Sequence, residues 1–224
     1  MSSRSLYRLS GGVLIVGSLL VLLNIAASDI LYPGHHTTPQ QLLSITWLLV
    51  ELGGLVGSLL VIAALPGMYL RQAGRAKAMG LIGFILLFFG LLLAGVAFTT
   101  TQIIALPYLA HVAPKAAGGN GPIGVFLILI IAGFTQIIGT ILLGIATLRA
   151  RMFSRWVGIL LISSGILYLL TLPPLPDALD SILEILAFAT LSGALAWCGY
   201  TLITGEREVV ETTSFASSGV QAGR

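Results

Sequence analysis

Charge is what this chain has least of. Across 224 residues there are eight acids and eleven Lys or Arg, so 8% of the sequence is charged while 57% is apolar. Mean hydropathy is +1.03. A soluble domain of this length cannot bury so much apolar surface, and several apolar runs exceed the roughly 18 residues that mark a spanning helix. The expected class is all-α, a polytopic membrane protein with one domain.

Other absences narrow the chemistry. One cysteine, Cys198, excludes an intramolecular disulfide and any cysteine-based metal cluster, and its place inside an apolar run makes it a packing residue. HExxH, GxSxG, the Walker A glycine-lysine loop and GxGxxG behind a strand are all missing. No Ser-His or paired-Asp arrangement lies at membrane depth, and no pair of intramembrane histidines is present to hold a haem. No cofactor is expected. The net charge of +3 comes from basic residues gathered at helix ends, where they read as topology signals; nucleic acid is not an expected partner.

What the chain does have is apolar runs. The organising one is WLLVELGGLVGSLLVIAALPGMYLR, Trp47 to Arg71, which stops at Pro66-Gly67 and carries an acid, Glu51, expected to lie deep in the hydrocarbon. Six transmembrane helices are expected: Leu9–Leu31, Pro39–Leu65, Ala78–Leu106, Pro122–Leu148, Trp156–Leu172 and Ser181–Ile203. The first is too long for a cleaved signal and reads as a retained helix. Thr38, Pro39 and Gln41 form a capping-box start for the second. Residues 1–204 make the transmembrane domain, and the polar tail 205–224 is expected to be disordered and cytoplasmic.

Arg4, Arg8, Arg71, Arg75, Lys77, Arg149, Arg151, Arg155 and Arg207 all fall on one side of such a bundle, with Lys115 on the other. The positive-inside rule then puts both termini in the cytoplasm of a multi-pass protein of the plasma membrane. Arg8, Lys77 and Arg155 each stand three residues before a glycine at the start of an odd-numbered helix. Glu51, Gln136 and Thr190 do the same within the even ones. The pattern fits three tandem helical hairpins, against the alternative that basic-then-glycine patterns arise by chance at membrane entrances.

Small and hydroxyl residues recur at helical spacing. Gly133, Gln136, Thr140 and Gly144 form one such stripe, and Ala187, Thr190 and Ala194 another. They are expected to let helices approach closely and to point polar groups inward. Glu51 is the sharpest residue. An acid at a helix centre costs on the order of 3 kcal/mol on insertion scales, and no Lys or Arg lies at its depth. It must be neutral, hydrogen-bonded to partners such as Gln136 or Asn24, or open to a wet cavity. Glu51, Gln136 and Asn24 are therefore the candidate intramembrane polar site, and helix–helix glue is the competing role. Glu184, with Ser181, fits a capping box at the start of the last helix. His35, His36 and His111 fall in expected outer loops and are the candidate metal ligands, although their spacing matches no metal motif.

The glycine-rich first helix, the short outer loop and LPGMYLRQAGRAKAMGLIGF resemble the small six-helix integral membrane proteins of unknown function found in bacteria. The resemblance covers the first half of the chain. It implies a bacterial inner-membrane protein and carries over no activity and no site residue. Three functional classes follow. One is a non-enzymatic component: a partner subunit, assembly factor or sensor that works in the lipid bilayer with a membrane-protein partner or a second copy. The second is a small transporter with a polar site around Glu51. The third is an outer-face lipid enzyme using His35, His36 or His111.

Overall fold

The computed structural model describes the backbone of residues 3–32, 37–114, 123–173 and 175–221, and the side chains of residues 5–32, 37–114, 127–173, 175–176 and 178–204. His35 and His36 lie outside these, as does Lys115. Among the described residues the chain is all-helical. In order come α1 (Ser3–Leu31), a single turn α2 (Pro39–Leu42), α3 (Ile45–Leu91), α4 (Leu106–Val112), α5 (Ile123–Ala150), α6 (Arg155–Leu170) and α7 (Asp177–Gln221). Two π-helical segments, Leu92–Phe98 and Thr101–Ala105, join α3 to α4. Four helical stretches are long and apolar enough to cross a membrane: Ser5–Leu31, Ile45–Val112, Leu127–Ala150 and Ala178–Thr204. The apolar helix Arg155–Leu170 is shorter. Past residue 204, in the stretch expected as a tail, the backbone of α7 stays helical to Gln221 and the side chains lie outside the described residues.

Three sequence expectations are corrected. The capping box forms as expected, with Thr38 and Gln41 bonding reciprocally, but it starts only the one-turn α2. Ser44 then turns extended and caps α3 by accepting from the Trp47 N–H, so the long helix begins at Ile45 rather than Pro39. Nor does that helix stop at Pro66-Gly67. It passes through Pro66 because its buried face continues beyond it with Met68 and Gln72, and Gly67 lets Ser10 of α1 lie against it. Such a proline is tolerated where neighbouring helices hold the segment. Finally, α7 starts a turn early, at Asp177, where Pro176 O accepts from the Leu179 and Asp180 N–H groups, so Ser181 lies inside the helix and does not cap it.

The 68 residues of Ile45–Val112 would span about 100 Å as a straight helix. Lys77 prevents this. Its φ of 52° and ψ of −158° lie in a region that L-residues rarely occupy, and the chain folds back there. The contacts between the two limbs run antiparallel. Tyr69 stacks on Phe84 with ring centroids 4.8 Å apart, the Ser58 side chain lies against Gly95, and Trp47 reaches Gln102.

The helices close a ring in which each packs antiparallel on its chain neighbour. α1 lies on the first limb of α3 (Gly17 on Gly57), the second limb on α5 (Gly83 on Leu143), and α5 on α6 (Gly144 on Gly158). α6 meets α7 (Tyr168 on Phe188), and α7 returns to α1 (Gly199 on Gly11). Leu14, Leu65, Leu87, Leu143, Leu161 and Leu195 bring one apolar core together from all of these. Arg71, Arg149 and the Lys77 turn lie at one end, where Arg71 bonds Thr201 O and Arg149 touches Met79. Tyr32, Leu42, Trp47 and Ala110 form a small apolar cluster at the other.

Candidate functional site

The spacing that sets a buried face on α3 also places the candidate residues. Trp47, Glu51, Gly54, Ser58 and Val61 follow at helical intervals and all are buried. Glu51 is 7% exposed and makes no hydrogen bond or ion pair with any described residue. Asn24 comes to the same turn from α1. Its Nδ2 donates to Val50 O at 3.0 Å, and its amide fills the notch over Gly54, where a β-carbon would lie 2.5 Å away. Of the expected trio, Asn24 thus reaches the turn of α3 that carries Glu51, through Val50 and Gly54.

Gln136 is not. It is buried on α5 with its backbone against Gly90 on the second limb of α3. Gly95, which faces Ser58, fixes the register between limbs and puts Gln136 roughly 18 Å along the bundle axis from Glu51. Gln136 instead lines a crevice between α5, α6 and α7 with Thr140, Ser164, Tyr168 and Phe188, and no water-sized sphere fits inside it.

The hydroxyls expected to point at one another across the interior mostly bond back to their own helices. Thr140 donates to Gln136 O and Ile137 O at 2.9 Å, and Thr190 to Ala187 O at 2.9 Å. Thr100 donates to Val96 O at 2.7 Å and Thr101 to Ala97 O at 3.0 Å. Such back-bonding satisfies the hydroxyl's donor in an apolar setting and leaves only its oxygen free to accept.

Opposite Trp47 the helix is π-helical, and the sequence explains one of its open groups. In π register the Gln102 carbonyl would accept from the N–H of residue 107, which is proline and has none. The Trp47 indole Nε1–H donates to this carbonyl at 3.1 Å, while its ring packs edge-on against Tyr32 at 5.0 Å. A buried carbonyl without a donor is costly. Trp47→Phe keeps the ring and removes the donor, so thermal unfolding in detergent should show a loss of about 1–3 kcal/mol. A variant as stable as the wild type would mean that Gln102 O finds another donor.

Gln72 was not singled out by its sequence context because it stood in an expected loop. It is 1% exposed, Thr147 Oγ1 lies 3.0 Å from its Oε1, and its Nε2 finds no partner among the described residues. Continuing the helix through Pro66 would have shown it, since Gln72 shares a face with Leu65 and Met68. Of the candidate metal ligands, His111 is exposed in the last turn of α4, and His35 and His36 lie outside the described residues. Among the described residues no group of three or more His, Cys, Asp or Glu is placed to hold a metal ion. Cys198 is fully buried in the main core. No protein-family model, curated protein or solved structure matches the chain.

Proposed function

We propose that the chain is a bacterial inner-membrane protein that crosses the bilayer six times, as three tandem hairpins with both termini in the cytoplasm. It works there as a non-enzymatic component: a partner subunit, assembly factor or sensor. Reading the two limbs of α3 as separate spans and α6 as a short one gives six crossings, and the basic residues then share one face. The near-matching closures Gly144 on Gly158 and Gly199 on Gly11 favour the hairpin repeat.

The observation that carries the functional reading is the interior. Thr140 and Thr190 bond back to their own helices and the crevice beside Gln136 admits no water, which favours a packed interior over a substrate path there. Outward-facing small positions add support for a helical partner or a second copy, since Gly12, Gly53 and Gly193 have open space where a β-carbon would stand.

The test has two parts. Single cysteines in a Cys198→Ala background, probed with an impermeant maleimide, should react at 75 and 151 only from the cytoplasmic side and at 38 only from outside. Cross-linking in native membranes should then capture a stoichiometric membrane-protein partner or a second copy. A second reading, a small transporter, is favoured by the buried acid Glu51. Solute flux through liposomes holding the purified protein alone would replace the first reading with this one.

A further inference from the structure

We propose that two basic turns at the Arg71 end of the bundle form one binding surface for anionic phospholipid headgroups. It is built from Arg75 and Lys77 of α3 and from Arg149, Arg151 and Arg155 where α5 connects to α6. Such a surface presupposes the reading above, that the chain crosses a bilayer with this end at an interface.

Packing brings the two turns together. The second limb of α3 runs antiparallel to α5, with Gly80 beside Ala146 and Gly83 beside Leu143, so the Lys77 turn lies level with Arg149. The Arg149 Nη1 reaches across to Met79 Sδ at 3.9 Å. Gly144 on Gly158 sets the start of α6, with Arg155, level with the last turn of α5. All five cations are exposed. Arg71 is not one of them: it is turned inward over Phe153 and onto Thr201 O.

The positions of two of these cations argue for more than topology. Among the described residues, the non-glycine residues with positive φ are Lys77, at 52°, and Arg151, at 51°. Glycine would take this backbone freely, whereas a lysine or arginine is strained there. A topology signal needs positive charge on one side of the membrane and is indifferent to which neighbouring residue carries it. Both strained turns nonetheless present a cation, and both cations belong to the same surface.

The bordering surface selects the class of partner. Trp156 is exposed directly after Arg155, and Ile159 one turn further along α6. Past Lys77, Leu81, Ile82 and Ile85 are exposed on the second limb of α3. The cations thus border apolar surface on two helices, with a tryptophan where headgroups meet acyl chains. An amphiphile satisfies both parts, its phosphate at the cations and its chains along the helices. A nucleic acid would meet the cations and leave the apolar border uncovered. A head with net negative charge is favoured over a zwitterionic one, whose own ammonium competes for the phosphate.

The measurement is native mass spectrometry of the full-length protein released from nanodiscs holding equal amounts of phosphatidylglycerol and phosphatidylcholine. The wild type should retain phosphatidylglycerol in preference, by roughly fivefold for each cation engaged. Lys77→Gly/Arg151→Gly should lose most of that preference while melting no lower than the wild type in detergent, since glycine relaxes both turns. Arg8→Gln, which removes a cation of α1 at the same end, should keep it. Equal retention of the two lipids by the wild type would overturn the proposal, and binding of a short single-stranded RNA in their place would assign the surface to nucleic acid. A preference that survives in the double variant, or that Arg8→Gln abolishes equally, would reduce these cations to general positive charge and overturn it too. So would a preference seen only in Glu206→Gln/Glu208→Gln/Glu211→Gln, which would give the surface to the chain's own tail. Nanodiscs offer both leaflets alike, so an inverted orientation would leave this result unchanged and would show only in the maleimide labelling.

Discussion

Replacing Gly199 with leucine is expected to part the first and last helices and to cost about 3 kcal/mol or more. A β-carbon on Gly199 would stand 2.5 Å from the Gly11 carbonyl oxygen, and one on Gly11 would stand 2.6 Å from the Gly199 carbonyl oxygen. Both obstacles are backbone, so no side-chain rotation relieves the clash. This contact closes the ring between chain start and chain end, which leaves α1 and α7 free to separate if it is lost. Gly199→Ala should fall between leucine and wild type, and Gly11→Leu should match Gly199→Leu. Gly193 supplies the control on the same helix, since a β-carbon there meets nothing within 4 Å. Gly193→Ala should raise stability by up to about 1 kcal/mol through helix propensity. Thermal unfolding in one detergent gives all four values. If Gly199→Leu melts with the wild type, the two helix backbones are not in contact.

That helices would approach closely was legible in the sequence, because small residues at helical spacing in apolar runs have few other uses; that α1 would close on α7 through Gly11 and Gly199 was not. The crowding of Arg71, Arg149 and Lys77 at one end was legible too. The π-helical stretch was not legible. Nothing in LLAGVAFTTTQIIA departs from α-helical periodicity, and only its sequel, Pro107, with a tryptophan on the facing limb, accounts for one carbonyl of it. Pro66 misled for a related reason. In water, a proline and a glycine together end most helices, but here the buried face of Leu65, Met68 and Gln72 outweighs the one lost ladder bond. Of the candidate site, the meeting of Asn24 with the turn that carries Glu51 followed from depth alone. The placing of Gln136 did not, because register between limbs depends on where Lys77 turns the chain, and a left-handed lysine leaves no mark in a sequence. Polar stripes were legible, but their direction was not: a threonine in a helix can serve its own backbone as readily as its neighbour's side chain.

Arg71 should prove a structural cation, distinct from the basic residues around it. Its Nη1 donates to Thr201 O at 2.7 Å, and its guanidinium carbon lies 5.6 Å from the centroid of the buried Phe153 ring. One side chain thereby joins the end of the first α3 limb, the last helix and the connection between α5 and α6. A hydrogen bond from a charged donor contributes about 1.5–3 kcal/mol and a partly desolvated cation–π contact about 0.5–2 kcal/mol. Arg71→Gln should therefore lower the unfolding free energy by about 3 kcal/mol, while Arg75→Gln, at an exposed position, should leave it unchanged. Arg71→Lys should recover only part of the loss, since an ammonium cannot both bond the carbonyl and lie flat over the ring. Both partners are neutral, so the effect should persist from low to high salt, where a role confined to attracting anionic headgroups would fade. Equal destabilisation by Arg71→Gln and Arg75→Gln, or an effect abolished by salt, would return Arg71 to the ranks of topology signals and leave the basic end of the bundle held by its apolar contacts alone.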